Sequence, residues 1–253
     1  MKYCIIAKND TFSNELKEEL KLKIHHEFDE QNPDIVIAIG GDGTFIRTVR
    51  MYPKAIIFGL HTGNLGFYTN YTKDSVEELI EDINYQNYKI DTIDLLKCEI
   101  NSKEKKIIDY ALNEFTIIMS PRTLTLNVSI DEEHLETFRG TGLCISTPYG
   151  STAYNKSLHG AIVDPRVKAL QMTEIAGINS NAYRTISSPM IISCESVIRL
   201  EAIWNDEVCI TLDNKSYQIQ DFHNANLSFA KQKIQIGYHK MPNFIQRIKR
   251  TFL

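Results

Sequence analysis

Five apolar residues in a row, Ile35 to Ile39, run straight into Gly40-Gly41-Asp42-Gly43-Thr44, and no other stretch limits the fold so tightly. A strand that is apolar at every position buries both faces, as interior strands of parallel sheets do. Such a sheet needs helices to cover it. Tyr3 to Ala7 and Ala55 to Leu60 are strands of the same kind. Thr11 to Lys23 places Phe12, Leu16 and Leu20 on one helical face, with Asp10, Thr11 or Ser13 as cap. A second helix near Ser75 to Tyr85 buries Val76, Leu79, Ile80 and Ile83. Residues 1–87 therefore read as an α/β domain with a parallel, doubly wound sheet.

Beyond Asn87 the period changes from helical to alternating. Leu124, Leu126, Val128 and Ile130 alternate with polar residues. Short runs follow at Met190–Ile192, Val197–Ile203, Val208–Leu212, Tyr217–Ile219 and Ile234–Tyr238. Residues 88–240 read as a mostly antiparallel β-sandwich domain, interrupted by one helix from Ser151 to about Met172. The tail, 241–253, offers Phe244, Ile245, Ile248 and Phe252 as one helical face. It is basic, but one short basic turn anchors weakly to a membrane, so docking on the body is expected.

Composition narrows the functions. A net charge of −4 over 253 residues, without a basic face interleaved with aromatics, argues against nucleic acid as a partner. No run approaches the roughly 20 apolar residues of a membrane helix. The opening residues carry too short an apolar run for a signal peptide. None of the five cysteines form a C-x-x-C pair, and Cys4 and Cys144 lie in apolar strand-like runs. Reduced core thiols and a cytoplasmic location follow as expectations.

The glycine turn carries the chemistry. A dinucleotide fingerprint starting at Gly41 would need glycine or alanine where Ile46 stands, and a P-loop would need a lysine that the segment lacks. What remains is a strand, a turn with an acid inside it, and a helix start. A carboxylate about 4 Å from a phosphate charge is repelled by ~4 kcal/mol at an effective dielectric near 20. Asp42 therefore faces a hydroxyl that attacks phosphorus, or a Mg²⁺ that offsets the phosphate charge. Gly40, Gly41 and Gly43 permit close approach, and Thr44 caps the helix or bonds a phosphate oxygen. A second turn, His61-Thr62-Gly63-Asn64-Leu65-Gly66-Phe67, follows the next strand and lies beside the first. Gly63 and Gly66 are its candidates for the phosphate donor.

Further on stand Asn113-Glu114 and the run from Arg139 to Ser157, RGTGLCISTPYGSTAYNKS. With GGDGT at 40–44, HTGNLGF at 61–67, Asn113-Glu114, and STP-x-GSTAY at 146–154 in this order, the chain resembles the NAD kinase family. Lipid kinases share the GGDGT loop but follow it with N-E-V, where this chain has Phe45-Ile46-Arg47. A dinucleotide sensor without chemistry is disfavoured by the intact Asp42.

The resemblance implies transfer of a phosphoryl group from ATP, or polyphosphate in some members, to the 2′-hydroxyl of the adenosine ribose of NAD. It also implies a divalent metal (Mg²⁺ or Mn²⁺), whose ligands it does not assign here, and a homo-oligomer, tetramer or dimer. Asp42 matches the catalytic base and Gly43 the same dinucleotide contact. Asn113 and Glu114 match the pair on the ribose hydroxyls. Thr152, Ala153, Tyr154 and Ser157 match the segment around the adenosine, and Arg139 and Ala176 match further dinucleotide contacts.

Physical reasoning supports several of these roles. An amide beside a carboxylate suits a ribose diol. A charged Glu114 would disfavour a 2′-phosphate and help product leave. Ser151 and Thr152, after Gly150, would cap a helix and aim N–H groups at an anion. Tyr154 can stack on a base. Three positions depart from the family pattern: Thr141 where aspartate is usual, Tyr149 where a small residue is common, and His159 where glycine is common. Thr141 is expected to raise KM for NAD more than it lowers kcat.

Overall fold

The computed structural model describes residues 1–63, 66–204, 207–240 and 243–253. The chain forms two compact units, Met1–Ile93 with Lys233–Leu253, and Asp94–Gln232. Both crossings fall inside long strands, Lys89–Ser102 and Phe222–Tyr238. A strand's period does not change where it leaves one unit for another. The sequence-based boundaries at 87 and 240 follow the change of period, whereas residues 233–253 group with the first unit.

In the first unit the strands pair in parallel. Glu27–Phe28 lies beside Lys2–Ala7, then come Ile35–Ile39, Ile56–His61 and residues 235–236. Tyr3, Ile5, Ile35, Ile37, Ile39, Phe58 and Leu60 form one core with Leu16, Leu20, Leu79, Ile80 and Ile83 of helices Thr11–Lys23 and Val76–Tyr85. The alternate residues Cys4, Val36, Ala38 and Ile57 are buried as well but lie outside that cluster. They belong to the opposite face, against which the Asp42–Met51 helix buries Phe45, Ile46 and Val49. Helices on both faces explain why these strands are apolar throughout.

Asp10 is the cap of the first helix, accepting from Ser13 N at 2.8 Å. Phe12 does not belong to its buried face, being 47% exposed. The buried stripe runs Ser13, Leu16, Leu20, a spacing of three and then four.

The Phe244–Phe252 helix docks on the first unit. Asn243 and Gln246 form its capping box. Arg247 is buried and donates to Asn70 Oδ1 at 2.5 Å, and the Phe252 ring lies 5.6 Å from that of Phe67. Ile245 departs from the expected docking face and is 59% exposed, because contact is made by the row 244, 248, 252 with Arg247 beside it. No helix among the described residues is long and apolar enough to cross a membrane.

The second unit is antiparallel. One sheet orders its strands Met190–Ser193, Ala169–Ile175, Gly142–Ser146, Glu114–Ile118, Val208–Leu212, Lys215–Ile219. A second set pairs Glu133–Gly140 with Leu124–Ile130, then Ile198–Ala202, then residues 224–227. Phe115, Ile117, Leu143, Ile145, Leu170 and Met172 of the first meet Leu126, Val128, Phe138, Ile198, Leu200 and Leu227 of the second in one core. This is the expected sandwich.

The expected helix from Ser151 to Met172 does not form. A 3₁₀ turn, Gly150–Thr152, and a single helical turn, Tyr154–Ser157, are followed by irregular chain. Ala169–Ile175 is a strand, and its apolar Leu170 and Met172 alternate with Gln171 and Thr173. Gly160 and Pro165 break the helical pattern between them.

Candidate active site

The parallel register brings both glycine turns to the same end of the sheet, and Gly40 N donates to Leu60 O at 2.9 Å. Gly40 has φ +150°, and a Cβ there would lie 2.5 Å from Thr44 Oγ1, so only glycine fits. Gly41 and Gly43 differ: a Cβ on Gly41 would meet only His61 Nε2 at 3.7 Å, and one on Gly43 nothing within 4 Å. No intramolecular crowding demands glycine there, which leaves bare backbone for a ligand. Thr44 is not the cap. Gly41 is, without a side-chain bond, and Thr44 N donates to Gly41 O at 3.0 Å from inside the helix.

Asp42 is the first residue of the Asp42–Met51 helix, where a negative charge is favoured. Its Oδ2 accepts from Phe67 N at 2.8 Å and its Oδ1 from Tyr68 N at 3.0 Å. A carboxylate offers about four acceptor positions, so about two remain for further donors. Gly66 lies so close that a Cβ would sit 2.2 Å from Asp42 Oδ1. Gly63 N donates to His61 Nδ1 at 2.7 Å. Both expected donor-loop glycines thus serve contacts within the protein, one seating Asp42 and one fixing His61. Asn64 and Leu65 of this turn lie outside the described residues. His61 is buried, and burial pulls its imidazole below the usual range, opposed by the Asp42 charge. With Nδ1 accepting, the neutral ring carries its proton on Nε2, toward Gly41.

The second unit builds a different site on the outer face of its six-stranded sheet. Along Glu114–Ile118, Gly142–Ser146 and Ala169–Ile175, the residues that alternate with the core are Glu114, Thr116, Cys144, Ser146, Gln171 and Thr173. All six are buried. Segment 147–163 covers them. Asn155 Oδ1 accepts from Thr173 Oγ1 at 2.7 Å, and Gln171 bonds Ala161 N and O at 2.7 and 3.0 Å. Thr147 N donates to Asn113 O at 2.8 Å and its Oγ1 to Leu112 O at 2.7 Å. A Cβ on Gly150 would lie 2.0 Å from Asn113 O, so glycine lets the two motifs touch.

Asn113 and Glu114 are each 9% exposed and so are no solvated strand end. Tyr154 N–H donates to the Glu114 carboxyl, while Glu114 Oε2 and the cross-strand Ser146 Oγ are buried without a partner. Buried polar atoms are nearly always bonded, so two orphans on paired cross-strand residues mark a candidate position for a ligand. Burial, and then the neighbouring Asp213 carboxylate, push the Glu114 carboxyl up to about 8. At neutral pH it is mostly protonated and can both donate and accept. This corrects the expectation that its charge repels a 2′-phosphate. The Tyr154 side chain is 39% exposed and open to stacking, and Ser157 is exposed too. Ser151 and Thr152 do not cap a helix: their hydroxyls donate back to Pro148 O and Tyr149 O at 2.6 and 3.1 Å. Ala153 takes the cap position of a helix only four residues long.

Arg139, Thr141 and Ala176 gather elsewhere. Gly142 pairs with Ile175 at one end of its strand and Ser146 with Gln171 at the other, four residues or roughly 13 Å away. Thr141 N donates to Ile175 O at 3.0 Å, and Ile178 N to Arg139 O at 2.8 Å. The Arg139 guanidinium stacks 3.8 Å from the centre of the Tyr183 ring. Gly140 and Gly142 are required by packing, since a Cβ would strike Phe138 and Ile117 O, at 2.5 and 2.2 Å.

Models of the ATP-NAD kinase N-terminal and C-terminal domains match residues 7–88 and 112–237. The NAD kinases of Staphylococcus aureus strains JH9 and Newman are 35% identical over 266 residues, spanning 100% of this chain and 98% of theirs. The chain belongs to the NAD kinase family. Its fold is shared with yeast NADH kinase complexed with NADH, at TM-score 0.87 and 22% identity over 99% of this chain and 87% of that one. It is also shared with an NAD kinase from Archaeoglobus fulgidus in complex with ATP, at TM-score 0.79 and 21% identity over 99% of both chains.

As a member of the NAD kinase family, the chain shows two features that sequence reasoning missed. Asp213 accepts from three successive amides, Leu112 and Asn113 at 2.7 Å each and Glu114 at 3.2 Å. It thereby fixes the Asn-Glu pair from a hairpin turn 99 residues away, at a left-handed φ of 52°. Its signal was an Asp-Asn between two alternating runs, which reads only as a turn. The second feature is the pair of amides on Asp42, which no side-chain pattern encodes. His159, in place of the family's usual glycine, has φ 61°, the conformation that favours glycine.

Proposed function

We propose that this chain is an NAD kinase that transfers the terminal phosphoryl group of ATP to the 2′-hydroxyl of the adenosine ribose of NAD, giving NADP. The observation that carries this reading is the seating of Asp42, with both oxygens fixed by amides and acceptor positions left over, beside bare glycine backbone. Asp42 takes the proton of the 2′-hydroxyl as that oxygen attacks the γ-phosphorus, and ADP leaves. Asn113, Glu114 and Ser146 receive the ribose, and Tyr154 and Thr152 border the adenosine. Most of the catalysis is then positioning and electrostatics.

Among the described residues, no three His, Cys, Asp or Glu side chains converge in a metal-holding group. We assign a divalent ion to the nucleotide, carried by its phosphates as Mg²⁺ usually is. The described cysteines are all free, in keeping with a reducing cytoplasm. We further propose assembly into dimers or tetramers, checked by light scattering on a sizing column. The deciding experiment is incubation with NAD, ATP and Mg²⁺ and an assay for NADP, repeated with polyphosphate. NADP formed from ATP supports the reading, and formation from neither donor overturns it.

A further inference from the structure

The basic, apolar Phe244–Phe252 helix has no part in the chemistry above. Yet two of its contacts fall on one short segment of the same unit, Phe67 to Asn70. Arg247, though charged, is buried and donates to Asn70 Oδ1 at 2.5 Å. Phe252 packs its ring 5.6 Å from that of Phe67, tilted by 38°. That segment is also the one whose amides hold Asp42, at Phe67 and Tyr68. On its other side Tyr68 stacks on Phe45 of the Asp42–Met51 helix, with centroids 5.1 Å apart and planes within 7°. The backbone of Asn70 is tied to the sheet, donating to Gly59 O at 3.1 Å.

We propose that the Phe244–Phe252 helix positions Asp42, with Phe252 and Arg247 clamping the segment whose amides orient its carboxylate. Phe252 and Arg247 are positioning residues and touch neither substrate. A helix that merely capped the fold would affect stability alone. A clamp on the Phe67 and Tyr68 amides affects the proton acceptor's geometry, and so kcat before KM. Misplacing a reacting group by about 1 Å costs on the order of 100-fold in rate, so partial loosening should cost about 10-fold. The inference rests on the reading of Asp42 as the base.

The test compares Phe252→Ala and Phe67→Ala, singly and together, in the full chain. Phe67→Ala keeps its amide and loses only the ring. Each single variant should lower kcat about 10-fold with KM for NAD and ATP within about two-fold, measured well below the melting temperature. Because the two rings act through one contact, the double variant should fall little further than either single. Phe252→Leu, which keeps an apolar contact, should restore most of the loss. If a truncation to alanine does not fold, the valine variants at both positions, which still lose the ring-to-ring contact, take its place in the same cycle. Unchanged kcat in folded single variants, losses that multiply in the double, or a rise in KM that accounts for the whole effect would each overturn the clamp. Asp42→Asn, assayed alongside, separates the two ideas. If it is inactive while Phe252→Ala is fully active, the clamp fails and the base stands; if it is active, the base itself fails.

Discussion

Asp42 and Glu114 are both carboxyl groups, one in each compact unit, and their surroundings differ in nearly every respect. Asp42 is partly open, starts a helix, and has both oxygens bonded to amides of one neighbouring loop. Glu114 is buried on a polar sheet face, has one orphan oxygen, and lies near a second carboxylate. The first arrangement holds an acceptor with capacity to spare. The second holds an acid that is neutral at pH 7 and can donate. Identical chemistry in the side chain thus yields different roles, because backbone donors supply one group and burial governs the other.

The sharpest break between the two is a swap of acid for amide. Asp42→Asn should lower kcat by about 10²–10⁴ with NAD still bound, the usual range for loss of a general base. Near-wild-type turnover would end the distinction. At Glu114 the effect should appear in stability. Its folded value of about 8 lies above the ordinary 4.5, so between these values the unfolded chain has released a proton that the folded chain keeps. Stability from this group is complete below 4.5, declines as pH rises, and stops declining above about 8. Glu114→Gln should abolish that decline, worth on the order of a few kcal/mol. Parallel melting-temperature profiles for the two proteins from pH 4.5 to 8 would refute the assignment.

Asp213→Ala should come next. Losing an anion that accepts from three amides costs roughly 2 kcal/mol of stability and loosens the ribose pair, so KM for NAD should rise while Asp42 keeps its seat. A change in kcat alone, with KM for NAD unmoved, would refute this role for Asp213. Smaller still, His159→Gly should stabilise the protein by about 1 kcal/mol by relieving a left-handed residue, read from the urea midpoint. The smallest expected change is Thr141→Asp, which should lower KM for NAD a few-fold at most, since one partly exposed charge in contact with solvent contributes about 0–1 kcal/mol. An unaltered KM would remove Thr141 from the dinucleotide site.

Much of the fold was legible. Unbroken apolar strands and amphipathic helices of period 3.6 mark 1–87, and the Thr11–Lys23 helix has the bounds expected of it. The segment after Gly150 was not legible, because short apolar runs there suit a helix or a strand equally until a partner strand fixes the register. In the proposed site, Asp42, Asn113 and Glu114 could be nominated from sequence because side chains carry their chemistry. The amides of Phe67 and Tyr68 were not, since every residue but proline has one. Nor was Asp213, which lies 99 residues from the pair it holds.

The sequence by itself determined which elements form and which acid groups are available, since periodicity and glycine placement are local properties of the chain. Tertiary structure decided what those groups are. It paired the ends of the Ile35–Ile39 and Ile56–His61 strands so that one loop's amides hold the other's aspartate. It also buried Glu114 beside Asp213 and so changed its protonation. Burial and backbone direction are set by residues far apart in sequence, and a carboxyl group's behaviour depends on both.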